Sequence, residues 1–373
     1  MKKIILVVGA RPNFMKIAPI IHELQKNPVL KPVLVHTGQH YDAQMSGRFF
    51  EELNIPAPDI NLEVGSASHA EQTAKIMIGF EKVCLQEKPD YVFVVGDVNS
   101  TAACTLVAAK LQIKTIHYEA GLRSKDRSMP EEINRLVTDA ISDYFFTTSI
   151  DADENLIKEG VPSEKIFMVG NLMIDTLIAN LKKTEGIELQ PKILNSNKTI
   201  SISELKENGY AVMTFHRPSN VDEKENLSKL VDIWAGISEK IPLVFPIHPR
   251  TLRNIEQYGL LEKMNSFKNL HLIEPLGYLD FIKLVSNCDF TLTDSGGIQE
   301  ETTYLNIPCL TVRPNTERPV TVWEGSNKLI KIDQIVDEVN LILTGKGKKG
   351  KTPKYWDGKT AKRIVSAISV FEM

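Results

Sequence analysis

Short runs of Val, Ile, Leu and Phe recur along the chain with longer helical patterns between them, and this alternation limits the possible folds more than any other feature. In the first half the runs are 3–9 (KIILVVG), 32–37 (PVLVHT), 91–96 (YVFVVG), 114–118 (KTIHY), 144–148 (YFFTT) and 165–169 (KIFMV). In the second half they are 211–215 (AVMTF), 242–247 (PLVFPI), 270–273 (LHLI), 290–293 (FTLT) and 308–312 (PCLTV). They are apolar almost throughout instead of at every second position, which marks strands covered on both faces. Strands of that kind alternating with helices predict parallel sheets with helices on both sides. The stretch 181–209 is polar, interrupted and poor in large apolar residues. It reads as the linker region between two Rossmann-like halves, 1–180 and 200–350. A C-terminal helix over about 355–373 is expected to pack back on the first half.

With 373 residues, 42% of them hydrophobic, the chain can form two cores of ordinary size. The net charge of −3 lacks the basic footprint of a nucleic-acid binder. The lysines of 345–354 (GKGKKGKTPK) read as a solvated loop. No stretch approaches the ~18 consecutive apolar residues that a membrane helix needs. The N-terminal IILVVG meets Gly9, Arg11 and Pro12 at once, and so reads as a strand entering a turn, not as a signal peptide. Cys84, Cys104, Cys288 and Cys309 form no CxxC pair and no metal-ligand spacing; they read as reduced core residues of a cytoplasmic protein.

Ligands of open parallel sheets sit beyond the carboxyl ends of the strands, and two such domains facing each other would make a cleft, so the residues just after each strand are the candidates. Gly9 turns the chain after the first strand, and Pro12 suits the first helical turn. Arg11 and Lys16 are then cations near a helix N-terminus, where the dipole disfavours them unless an anion docks among them. A plain βα turn with solvated bases is the alternative. No GxGxxG follows, so the dinucleotide fingerprint is missing. Ser295, Gly296 and Gly297 open a helix after 290–293; its free N–H groups suit a phosphate, or the motif is a simple cap. Glu301, about two turns in, could accept the hydroxyls of a ribose or be a surface glutamate. His216 and Arg217, His248 and Arg250, and Arg313 and Arg318 add cations at three further strand ends. In a chain of negative net charge, a diphosphate ligand accounts for this gathering.

Three acids hold comparable places in the first half: Asp97, Glu119 and Glu131. Each has a structural alternative. Asp97 could cap the next helix. Glu119 could pair with Arg123. Ser128 and Glu131 match a capping box with Pro130 in the first turn. Carboxylates held in different environments can divide acid and base work.

The ordered set GARPNFMKIAPI, HTGQHYD, GDVNST, HYEAGLRS, MPEEINR, VGNLMIDTL, FHRPSNVD, DSGGIQEE and NTERPV, spanning about residues 1–325, resembles the non-hydrolysing UDP-N-acetylglucosamine 2-epimerases. The resemblance implies an α/β fold of two Rossmann-like domains with parallel sheets facing across a cleft, the glycosyltransferase-B type. It implies a homodimer with a UDP-sugar as substrate and neither metal nor other cofactor. The implied reaction is reversible conversion of UDP-N-acetylglucosamine to UDP-N-acetylmannosamine, by elimination of UDP to a glycal and re-addition. Carried over by position, the catalytic set is Asp97, Glu119, Glu131 and His216. The substrate-binding set carried over is Arg11, Lys16, Ser295, Gly296, Gly297, Glu301 and Arg318, with Phe281 as a ring near uracil; Arg217 and His248 join it from the cations at strand ends. Related epimerases of UDP-2,3-diacetamido sugar acids share HTGQH and MPEEINR, so that substrate stays open. A glycosyltransferase of the same fold and a non-catalytic UDP-sugar sensor are the remaining alternatives. There are departures. Asn13 stands where the family commonly has an acid, Pro218-Ser219-Asn220 replaces the Arg-Glu-Asn of HRREN, and Lys75 lies near a usual arginine. These positions adjoin an activator site in some members, and their change implies an enzyme that needs no activator.

Overall fold

The computed structural model describes residues 1–39 and 56–371, and of Arg11 the backbone alone. The end of the HTGQHYD motif and the side chain of Arg11 lie outside the described residues. The chain forms two units, Met1–Thr176 together with Lys354–Met373, and Leu177–Pro353.

The first unit holds β1 (Lys2–Val8), β2 (Leu30–His36), β3 (Ile60–Asn61), β4 (Tyr91–Val95), β5 (Lys114–Tyr118), β6 (Tyr144–Thr147) and β7 (Ile166–Met168). All pair in parallel, in the order β3-β2-β1-β4-β5-β6-β7. The second unit holds β8 (Ala211–Thr214), β9 (Leu243–Pro246), β10 (Leu270–Ile273), β11 (Phe290–Thr293), β12 (Cys309–Val312) and β13 (Asn327–Ile330), parallel in the order β10-β9-β8-β11-β12-β13. Among the central strands β4, β11 and β12 are buried at every position, as expected of strands sandwiched between helices. In the second unit Trp234 is wholly buried between Phe215 and Phe245, meeting the latter edge-on at 5.5 Å.

Two strands have no counterpart among the apolar runs. β3 is only two residues long, and β13 is an edge strand whose Asn327 and Lys328 break the pattern. The linker expectation is also corrected in part. Within 181–209, Leu189 and Ile202 are buried in the second unit's core, Ile193 bridges to Ile273, and Ile202–Asn208 is a helix. A few well-placed apolar residues anchor this segment despite its polar average.

The C-terminal segment belongs to the first unit. Trp356 is buried and donates to the Thr148 carbonyl at 3.0 Å. Asp175 accepts from the N–H groups of Thr360 (3.1 Å) and Ala361 (2.8 Å) at the start of the helix Thr360–Ser369. Phe371 stacks on Tyr144 with ring centroids 4.0 Å apart. Among the described residues no helix is long and apolar enough to cross a membrane.

This docking requires close backbone approach at Gly170, where φ is +103° and a Cβ would lie 2.2 Å from the Tyr355 carbonyl oxygen. Gly160 also has positive φ, but nothing lies within 4 Å of its Cβ position. Gly160→Ala should therefore cost only backbone strain, about 1–2 kcal/mol. Gly170→Ala should cost at least about 2 kcal/mol more, because the clash is with backbone. Chemical denaturation of the two variants checks this, and equal losses would contradict it.

Candidate active site

Each sheet reverses its strand order once. From β1 the chain goes outward to β2 and returns on the other side of β1 as β4; β8, β9 and β11 repeat the arrangement. At such a reversal the connections leave in opposite directions and open a crevice at the carboxyl ends of the strands. The residues marked by sequence after β1 and β4, and after β8 and β11, flank these two points.

In the first unit Gly9 and Ala10 lead from β1 into the helix Arg11–Leu24. The Asn13 side chain accepts from the N–H groups of Gly9 (3.2 Å) and Ala10 (3.0 Å) and donates to the Val95 carbonyl, tying β1's turn to β4. Lys16 is buried, and its Nζ lies 2.7 Å from the carboxylate of buried Glu119. Glu119 has a φ of +70°, a conformation that costs a residue with a side chain about 1–2 kcal/mol. Such strain in a non-glycine residue motivates a search for function there. Gly96, also at +70°, leaves room: a Cβ on it would stand 3.3 Å from Glu119 Oε2. Asp97 follows Gly96 and is ion-paired with Arg135, while Asn134 donates to the Asp97 carbonyl at 2.9 Å. Arg135 also binds Glu132 at 2.6 Å. Both residues lie on the helix Pro130–Ile141, which carries Glu131, exposed, in its first turn.

The structural alternatives for the three acids do not occur. The helix Asn99–Lys110 starts after Val98 with no side-chain cap, so Asp97 is not its cap. Arg123 pairs with Asp139 (2.7 Å) and Glu159 (2.6 Å), and Glu119 with Lys16. The helix bearing Glu131 starts after Met129 with no side-chain cap, and Ser128 donates to Asp126. Glu132 instead holds the loop that precedes this helix. It accepts from the N–H groups of Ser124 and Lys125, both at 2.9 Å, and from the Ser124 hydroxyl. Burial raises its pKa, but these bonds and Arg135 outweigh that and hold it below the usual range.

In the second unit everything converges on Asp294, which is wholly buried at the end of β11. Its carboxylate accepts from the N–H groups of His216 (3.1 Å) and Arg217 (2.9 Å) and from Asn220 Nδ2 (3.1 Å); His216 Nδ1 lies 3.2 Å away. The His216 ring stands 5.5 Å from that of His248, which caps the helix Pro249–Gln257 through its Nδ1. Burial lowers the pKa of His216, reinforced by His248, Arg217 and Arg313 and opposed by Asp294. Ser295 is the N-cap of the helix Gly296–Leu305, and its hydroxyl makes no capping bond. A Cβ at Gly297 would meet nothing within 4 Å, whereas one at Gly296 would lie 2.7 Å from Glu317 Oε1. Arg217 Nε and Arg313 Nη1 are buried with no hydrogen-bond partner among the described residues. Arg318 lies 2.8 Å from Glu300, and Arg313 lies 2.9 Å from Glu317. Burial raises the Glu317 pKa, but Arg313 and Arg318 overcome this and hold it at about 2. Arg250 is engaged elsewhere, with Asp222 at 2.5 Å.

Glu301 is buried, not a surface glutamate. Burial pushes its carboxyl up to about 7, with Glu300 adding and Tyr278 opposing. Tyr278 lies on the helix Tyr278–Val285, as does Phe281, which packs against the core beside Leu276. The side chains that sequence reading missed are His117, Glu132, Arg135, Asp139, Asp294 and Glu317. Each sits within or a few residues from a quoted motif; His117, Asp139 and Asp294 find partners on other elements, whereas Glu132 pairs with Arg135 on one helix and Glu317 with nearby Arg313.

The raised carboxyl of Glu301 has a sign. Ionising it in the folded protein is harder than in the unfolded chain, so the stability this confers is full below about pH 4.5 and is lost as pH rises through about 7. The loss is roughly 3 kcal/mol at about 1.4 kcal/mol per pH unit. Glu301→Gln removes the titration. Its stability relative to the unsubstituted protein should therefore grow from pH 5 to pH 8 in ligand-free denaturation; a constant difference would refute the assignment.

Comparison with known proteins agrees with this geometry. Residues 22–369 match the sequence family described as UDP-N-acetylglucosamine 2-epimerase. The chain is similar to the UDP-N-acetylglucosamine 2-epimerase of Methanocaldococcus jannaschii, with 44% identity over 374 residues, covering 98% of this chain and 99% of that one. It is similar at 36% identity, over 98% of this chain and 99% of the relative, to the UDP-2,3-diacetamido-2,3-dideoxy-D-glucuronate 2-epimerase of Pseudomonas aeruginosa. The crystal structure of the Methanocaldococcus jannaschii enzyme in complex with UDP-GlcNAc and UDP aligns with a TM-score of 0.85, at 42% identity over 99% of each chain. With both parallel sheets, their reversal points and nearly the whole length matched, the chain belongs to the UDP-N-acetylglucosamine 2-epimerase family.

Proposed function

We propose that the protein catalyses reversible 2-epimerisation of UDP-N-acetylglucosamine to UDP-N-acetylmannosamine, by anti elimination of UDP to a glycal followed by re-addition. The observation that carries this reading is the acid set of the first unit. Glu119 is held in strained backbone by Lys16, Asp97 is paired with Arg135, and Glu131 is exposed on the adjoining helix. The identity of 44% to a UDP-N-acetylglucosamine enzyme, against 36% to a diacetamido-glucuronate enzyme, favours the former substrate. Four free, buried cysteines suit a cytoplasmic enzyme. It acts as a homodimer.

The hydrogen at C2 is not adjacent to a carbonyl, so its removal alone is very difficult. A carboxylate takes that proton as the bond from C1 to the diphosphate oxygen breaks, leaving a C1–C2 double bond and UDP. Return of a proton to the other face of C2, with attack of the UDP oxygen on C1, gives the epimer. Asp97, Glu119 and Glu131 share the acid and base roles. Negative charge develops on the departing diphosphate. The helix start at Ser295, Gly296 and Gly297, the uncommitted nitrogens of Arg217 and Arg313, and His216 supply donors to it. Glu301 takes the ribose hydroxyls, and Phe281 lies by the uracil.

Incubation with UDP-N-acetylglucosamine in deuterated water, followed by proton NMR, should show deuterium entering C2 along with the manno epimer. UDP binding without exchange would favour a sensor, and transfer to an acceptor sugar a glycosyltransferase. Asp97→Asn and Glu131→Gln should each lower turnover by ~10²-fold or more while UDP still binds; near-normal turnover in both would overturn the assignment. Epimerisation of UDP-N-acetylmannosamine alone should be hyperbolic, whereas an absolute requirement for added UDP-N-acetylglucosamine would show that an activator is needed.

A further inference from the structure

We propose that His117, acting with Asp139, is a positioning residue that locks the loops carrying Asp97 and Glu119 into one arrangement. The inference rests on the epimerase reading above and concerns a ring that cannot touch substrate, because His117 is wholly buried within β5. Its Nε2 lies 2.9 Å from the carbonyl oxygen of Gly96, the residue before Asp97. Its Nδ1 lies 2.6 Å from Asp139 Oδ1. A carbonyl oxygen can only accept. The Asp139 carboxylate is kept in its accepting form: burial raises its pKa, but His117, Arg123 and the Gly121 N–H outweigh that. The ring therefore bridges the Gly96 carbonyl and the Asp139 carboxylate, one through each nitrogen. The other Asp139 oxygen accepts from the N–H of Gly121 at 3.0 Å and pairs with Arg123 at 2.7 Å. The contacts thus form a chain from Gly96 through His117 and Asp139 to Gly121, with Arg123 tying Asp139 to exposed Glu159.

The two ends of this chain reach the two acids. One grips the backbone immediately before Asp97, and the other grips it two residues after Glu119. Gly96, Glu119 and Gly121 all have positive φ, between 70° and 77°. The two glycines adopt this backbone freely, but at Glu119 it persists only where the surroundings determine it. Here His117 bonds to the first loop at Gly96, and Asp139, which His117 holds, bonds to the second at Gly121.

The two bonds can be broken separately. His117→Gln sets an amide nitrogen near the place of Nε2 and keeps the Gly96 bond. His117→Asn sets one near the place of Nδ1 and keeps the Asp139 bond. Each variant should lower kcat for C2 exchange by at least ~10-fold, with KM and the Kd for UDP within about threefold of the unsubstituted protein. In an Asp97→Asn background, His117→Asn should cost much less than it does alone, because its effect runs through Asp97. Unchanged kcat, a parallel loss of UDP affinity, or simple multiplication of the two effects would each overturn the proposal. Should the His117 variants not fold, Asp139→Asn, nearly identical in shape, carries the test. It exchanges one acceptor for a donor, so the same kcat loss at unchanged UDP affinity is expected, and full kcat overturns the proposal. Absence of exchange in the unsubstituted protein would refute the epimerase reading and this role with it. Exchange there with undiminished variants would refute the positioning role alone.

Discussion

A charged group leaves water only in the company of an opposite charge or of several donors, and the carboxyl ends of both sheets are built under that constraint. Lys16 is buried because Glu119 is beside it, and Glu119 stays in left-handed backbone with Lys16 holding its carboxylate. Asp139 lies between His117 and Arg123, and Glu132 between Arg135 and the loop at Ser124. Breaking one such pair leaves its partner stranded, at a cost of about 3–5 kcal/mol. Glu119 and Asp97 are thereby each held by a buried cation of their own unit.

The second unit answers the same constraint differently. Asp294 is satisfied chiefly by donors, two of them backbone N–H groups from the segment after β8, so its charge joins the ends of β8 and β11 at the reversal of strand order. The cations around it are incompletely satisfied: Arg217 and Arg313 each keep a buried nitrogen without a partner. The first unit thus presents acids already committed to fixed positions, and the second presents donors still available to an anion. That division is the one required by a reaction in which a proton moves at one carbon while a diphosphate leaves the next.

Much of this was legible in the chain. The near-continuous apolar runs marked eleven of the thirteen strands among the described residues, and those they missed, β3 and β13, are a two-residue strand and an edge strand with polar positions. The site residues were found because parallel sheets place function just after strands, where Asp97, Glu119, His216 and Ser295 all lie. What could not be read was which charge meets which. Arg123 is four residues from Glu119, yet it turns to Asp139 and Glu159, while Lys16, 103 positions away from Glu119, is its partner. Of the adjacent pair Glu131 and Glu132, only Glu131 faces water, and the capping role that sequence spacing favoured for it does not occur.

Sequence alone determined the fold class, the ordered motifs and the positions where acids and cations gather, because hydrophobic period and strand-end placement are local properties of a chain. Tertiary structure decided the pairing of those charges, the strain at Glu119, the burial that lifts Glu301, and the placing of His117 between two loops. Each of these depends on which strands become neighbours, and a side chain's charge partner is set by distance through the folded core, not by distance along the chain.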